Sequence, residues 1–174
     1  PAPPACWQGA PMDPLMTFLT WLEATPLAGV MRQSPWSYPL AETAHILGFV
    51  LLIGAAAMFD LRLLGLSPRL PVVDVARHLL PWSHVGLAVV VISGALLFAA
   101  DPVALWFNTV FRAKMALIVV AGLNAAAFHA WTFRSVATWN RFAPTPWPAK
   151  VAAGLSLSLW IAIAALGRFI AYLE

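Results

Sequence analysis

The sequence predicts an all-α integral membrane protein: a four-helix bundle crossing the bilayer, with an N-terminal amphipathic helix lying in the interface. Three observations predict it. The chain is 61% hydrophobic and only 10% charged, with a mean hydropathy of +0.81, whereas a soluble domain carries about 25% charged residues. Water cannot solvate such a surface all round, so lipid must cover much of it. The apolar residues gather in long stretches bounded by Pro, Gly and charged residues. Finally, 174 residues hold about four spans of roughly 20 to 25 residues with short loops, which leaves no length for a separate soluble domain.

Residues 1–12 are rich in Pro and Ala and are expected to form a lead without order. From Asp13 the pattern changes. Leu15, Phe18, Leu19 and Leu22 recur at helical spacing behind Asp13 as a cap and Pro14 at the first helical position. Pro26 and Gly29 interrupt the pattern, so residues 13–34 read as an interfacial segment with Trp21 and Trp36 in the headgroup zone rather than as a span. The basic region and long apolar run of a secretory signal are missing from it.

The first span is expected over about residues 39–64, leaving the membrane at Asp60 and Arg62, with residues 65–71 turning because Ser67-Pro68 and Leu70-Pro71 both disfavour a helix. The second covers about 74–100 and tolerates Pro81 near its start; Asp101-Pro102 then makes a short turn. A third covers about 107–133, followed by the longest loop, from Arg134 to Pro148. The fourth covers about 149–172, and its Gly154, Ser158 and Ala162 recur every four residues, a small-residue face that packs inward or against another copy.

Net charge of +3 and a pI near 9.6 do not indicate nucleic acid, because the basic residues are scattered at the ends of apolar segments, where they set topology and anchor to anionic lipid. Arg62, Arg69, Arg77, Arg134, Arg141 and Lys150 fall on one side, and Arg32, Arg112, Lys114 and Arg168 on the other. The larger set is expected inside, which places both termini in the periplasm of a bacterial inner membrane protein. A single cysteine, Cys6, excludes a disulfide framework or a cysteine metal site within one chain. Neither a phosphate loop, a usable Ser/His/Asp set nor an HExxH motif is present to support a hydrolase or NTPase.

Ionisable groups inside a membrane are costly, so each invites a functional question. His84 lies roughly 10 Å in from Arg77 on the second span and His129 roughly 7 to 8 Å in from Arg134 on the third, at about 1.5 Å per residue. Two imidazoles at similar depth on different helices are what a six-coordinate haem b needs. Ala125, Ala126 and Ala127 offer a flat surface beside His129, with Phe128, Trp131 and Phe133 to rim a porphyrin. His78, turned about 240° from His84, is an alternative ligand or a headgroup contact. The plain alternative makes His84 and His129 interfacial histidines bonded to Ser83, Asn124 or each other.

On the opposite side Glu42 and His45 share a helix face as an ExxH pair. With few other carboxylates in the spans a di-iron centre is excluded in practice, which leaves a copper ion, a proton relay or a simple Glu42–His45 hydrogen bond. Arg112 and Lys114 open the third span on that side, to pair with Glu42, to bind a lipid phosphate or haem propionate, or merely to snorkel. Asn124 is deeper and should seek a partner across the bundle.

WLEATPLA (21–28), SPWSYPLAETAHILG (34–48), FDLRLLGL (59–66), RHLLPW (77–82), FRAK (111–114) and NAAAFH (124–129), taken together, resemble an uncharacterised family of small bacterial inner-membrane proteins. The resemblance covers about residues 13–135 and implies a four-span topology without an established activity. His45, Asp60, Arg62, Pro81, Lys114, Asn124 and His129 match its pattern, whereas His84 has no clear place in it. Three functions follow as expectations: a haem b subunit for electron transfer ligated by His84 and His129, a copper-handling protein using His45, Glu42 and Met31 or Met58, and a non-catalytic subunit or scaffold, homo-oligomeric or bound to other membrane subunits. In each the chain is more an accessory subunit than a stand-alone enzyme.

Overall fold

The computed structural model describes residues 13–141 and 144–170. The expected disordered lead with Cys6, and the end of the fourth span at 171–172, lie outside the described residues. The described residues are helical, without strands.

Two short helices come first. In α1 (Pro14–Glu23) Pro14 stands at the first position and the Asp13 carboxylate accepts the Leu15 amide. In α2 (Pro26–Gln33) the Thr25 hydroxyl accepts the Ala28 amide and Pro26 plays the same part, so Pro26 starts a helix instead of breaking one, and Gly29 sits within it. Leu19, Ala28 and Met31 are buried, while Phe18, Trp21, Leu27 and Val30 are exposed. The pair therefore has an apolar face against the bundle and another for lipid. Arg32 fastens it, donating to the carbonyls of Glu23 and Ala100 at 2.8 and 2.9 Å, where two helices end with unbonded acceptors.

The spans are α3 (Ser37–Leu64), α4 (Val72–Ala100), α6 (Thr109–Ala127) with its extension, and α7 (Trp147–Phe169). All are long and apolar enough to cross a bilayer, so the protein is a multi-pass membrane protein. Gly65 ends α3 at φ +113°, a conformation open to glycine. Arg62 is buried, not a flanking charge: its Nε donates to Leu70 O at 2.7 Å and holds the 65–71 loop back over the helix. Asn140 caps α4 from a distant loop, accepting the Val72 amide on its carbonyl and the Val73 amide on its side chain. Where the sequence predicts a turn, Asp101 caps a further short helix, α5 (Pro102–Phe107). Helix α6 continues as a π turn (Phe128–Thr132) and a 3-10 segment (Phe133–Thr138), so helical structure occupies part of the loop expected from Arg134 onward.

The spans pack in the order α4–α3–α7–α6. The α3–α4 contact is closest, because Gly48 and Gly86 let the backbones meet: a Cβ on Gly86 would lie 2.6 Å from the Leu52 nitrogen. Phe59, Leu63, Val72, Ala76, Phe128, Trp139, Ala149 and Ala153 form the core at one end; Met31, Ala41 and Ala100 form that at the other, beneath α1 and α2. By contrast, the expected small face of α7 turns away from the other helices: a Cβ added to Gly154 would meet nothing within 4 Å, and Ser158 is exposed. It does not pack inward.

The fourth side is open. Helices α4 and α6 do not pack along their length. They meet through stacked Phe98 and Phe111 rings, 5.6 Å apart, near one end. Exposed tryptophans mark both edges of the bundle, Trp21, Trp36 and Trp106 near α1 and α2, and Trp82, Trp131 and Trp147 at the other, as interfacial anchors do.

Candidate functional site

Polar side chains gather at both ends of the opening between α4 and α6. At the end away from α1 and α2, the structure brings His84 and His129 close enough for their rings to interact electrostatically. His84 lies two residues past Trp82 and His129 two residues before Trp131, so both stand at the level of the tryptophan belt. Both are accessible within the single chain. The His84 Nδ1 lies 2.7 Å from Leu80 O. A carbonyl can only accept, so Nδ1 carries the proton and Nε2 keeps a free lone pair. His129 belongs to the π turn, a device frequent at functional sites because it re-aims one side chain off the helix. Its ring stands edge-on to Phe128 and Phe133 at 5.3 and 5.4 Å.

His78 is exposed on another face of α4 and does not join the pair. Neither Ser83 nor Asn124 bonds to either histidine; the Asn124 amide instead donates to Ala152 O of α7 at 2.9 Å, the cross-bundle partner its depth called for.

At the same end, beside the core of Phe59, Leu63 and Phe128, lies Asp60, which sequence reasoning misplaces. Expected where the chain leaves the membrane, it is buried at 7% exposure. Ser156 of α7 stands against it, and its Oδ2 has no hydrogen-bond partner among the described residues. The available signal was its place beside Phe59 and three residues before Leu63, both on the buried face.

At the α1/α2 end, His45 does not bond to Glu42, which is exposed. Its Nδ1 lies 3.0 Å from Ser93 Oγ on α4 instead. The hydroxyl proton of Ser93 is committed to Val89 O at 2.6 Å, so Ser93 accepts and His45 Nδ1 carries the proton, with the Val90 carbonyl also against the ring, and Nε2 is the acceptor nitrogen. Gly94 makes room for this ring: a Cβ there would come within 3.1 Å of His45 Cε1. Lys114 reaches in from α6, interacts electrostatically with His45, and lays its Nζ over Gly167 of α7. Arg112 is exposed and stays outside this group. Met58 is exposed and Met31 is buried with Ala41 and Ala100, and among the described residues no three His, Cys, Asp or Glu side chains converge as a metal site.

A shallow cleft of about 420 Å³ runs between the π turn and the start of α7, lined by Asn124, Phe128, Trp131, Trp147 and Val151 among others, and includes neither histidine of the pair.

The model of a family of unknown function, DUF6644, matches residues 18–173, and the chain belongs to that family. No curated protein and no solved structure matches it.

Proposed function

We propose that this member of a family of unknown function is a haem b-binding electron-transfer subunit of a bacterial inner membrane, with its termini in the periplasm. The observation that supports the reading is the unpacked side between α4 and α6, with His84 on α4 and His129 on the π turn near enough to interact electrostatically. The donor chemistry fits the group. An iron ligand must be an unprotonated imidazole nitrogen, and the His84 Nδ1–H to Leu80 O bond would leave Nε2 in that form while fixing the ring. His84 and His129 would hold the iron, with the Phe128 and Phe133 rings as apolar neighbours. When bound, haem supplies one-electron transfer; the chain supplies orientation and a dry flank. Lys114 is about 22 Å along α6 from His129, too far to meet a propionate of this group.

The test is a reduced-minus-oxidised spectrum of protein purified from haem-replete cells. Bands of b type are expected in the wild type and lost in His84→Ala and in His129→Ala. A colourless wild-type protein, or bands that persist in both variants, would refute the reading.

A second reading, a homo-oligomeric or scaffolding subunit, is favoured by the outward face of α7, where Gly154 and Ser158 leave a shallow surface for a neighbouring helix. Cross-linking of a Ser158→Cys variant in membranes should trap a dimer or a partner; monomer alone at every concentration argues against it.

A further inference from the structure

We propose that His45 and Lys114 form a binding site for the head group of a membrane quinol, at the α1/α2 end of the opening between α4 and α6. The site uses different residues from the haem reading and stands without it.

Hydrogen-bonding capacity defines what the site can hold. Ser93 and Val89 fix the tautomer of His45, so that Nε2 can only accept. Lys114 Nζ can donate, and it makes no hydrogen bond or ion pair among the described residues. One acceptor and one donor therefore stand near each other inside a membrane without mates, which is costly unless a ligand supplies them. A quinol matches both. One ring hydroxyl donates to His45 Nε2, and the oxygen across the ring accepts from Lys114.

Shape and depth agree. Gly94 gives the His45 ring its place and Gly167 gives the Lys114 ammonium its place, and the stacked Phe98 and Phe111 rings, one turn from Gly94 on α4 and one turn from Lys114 on α6, supply an aromatic wall. His45 is eight residues into α3 from Ser37 and Lys114 five residues into α6 from Thr109, about 12 and 8 Å of helix. A lipid phosphate would have to carry its charge that far from water. A neutral quinol head on an apolar tail reaches it at little cost.

The tautomer makes a sharper demand. A quinone has only acceptors, so it loses the contact to Nε2 that a quinol makes. Equilibrium binding of decylubiquinol and decylubiquinone to the haem-free protein in zwitterionic nanodiscs, under argon, reads this directly. The reduced form should bind about five- to tenfold more tightly, the value of one hydrogen bond. His45→Ala should abolish the preference, and Lys114→Met should weaken both forms. Ser93→Ala and Gly94→Ala keep the imidazole but free or displace it, and should shrink the preference even if His45→Ala fails to fold. Equal affinity for the two forms in the wild type, or affinity that follows added phosphatidylglycerol instead of these side chains, would overturn the proposal. A quinol preference retained in a colourless protein refutes the haem reading alone; b-type bands without any quinol preference refute this one alone.

Discussion

Gly86→Ala is the substitution that most directly tests how the bundle is held together. Its new methyl carbon would lie 2.6 Å from the Leu52 nitrogen, 2.7 Å from Gly48 O and 2.9 Å from Leu52 Cα. These are backbone atoms, so no rotamer change relieves the contact. Ordinary heavy-atom separations are about 3.5–4.0 Å, which means α3 and α4 must part by roughly 1 Å at their crossing. Inside a bilayer there is no hydrophobic term to hold them, and close packing is the main attraction. A gap of that size forfeits about a quarter to a half of each contact's well, and overpacking of this kind costs about 1–3 kcal/mol.

Alanine is also a better helix former than glycine by about 1 kcal/mol, which would mask part of the loss. Gly54→Ala supplies the correction: it lies on α3 of the same helix pair, has nothing within 4 Å of its added Cβ, and should be neutral or slightly more stable. Reversible unfolding in mixed dodecylsulfate micelles, followed by tryptophan fluorescence, compares the two. Gly86→Ala should fall about 1–3 kcal/mol below Gly54→Ala. A difference under about 0.5 kcal/mol, within the scatter of ordinary surface substitutions, would refute the account of the α3–α4 contact.

Two further outcomes follow from single contacts. Asn140→Ala removes the side-chain acceptor of the Val73 amide at 2.9 Å and should cost about 1 kcal/mol, with faster hydrogen exchange confined to the first turn of α4. Asn124→Ala removes the bond to Ala152 O and should cost about 0.6 kcal/mol, at most about 1.7, in the same unfolding assay.

Depth along each helix was legible in the sequence, while rotation about its axis was not. Counting residues from flanking charges put His84 and His129 at similar levels, and in the structure they are near enough to interact electrostatically. Long apolar stretches likewise predicted α3, α4, α6 and α7 to within a few residues at most of their ends. A membrane helix, however, is apolar on the face that meets lipid as well as on the face that meets protein, so periodicity does not mark the inside. Hence Gly154, Ser158 and Ala162 could be read as an inward face as well as a face for another copy, while Gly48 and Gly86, which make the closest backbone approach, carried no visible pattern. Asp60 was misjudged for the same reason: its depth near the end of α3 was right, but its buried azimuth was invisible. The α5 helix was a different miss. Asp101-Pro102 has the same cap-then-proline signature as Asp13-Pro14, and both start helices.

The open side ties these features to function. Where α3 meets α4 the sequence uses glycine and the backbones touch; where α4 faces α6 it uses Phe98, Phe111, His84 and His129, which touch at most through side chains and keep the backbones apart. A bundle held by packing forfeits attraction along an unpacked side, so whatever fills that side should stabilise the fold by mass action. For a single site at a free ligand concentration one hundred times Kd, the gain is about 2.7 kcal/mol. Haemin added to the wild-type protein should therefore raise its resistance to dodecylsulfate by about that much, and do nothing for the His84→Ala/His129→Ala double variant. Decylubiquinol should stabilise both proteins alike, because its proposed contacts lie some 22 Å away along α6. Equal protection of the wild type and the double variant by haemin would mean that the opening at His84 and His129 is not where the haem binds.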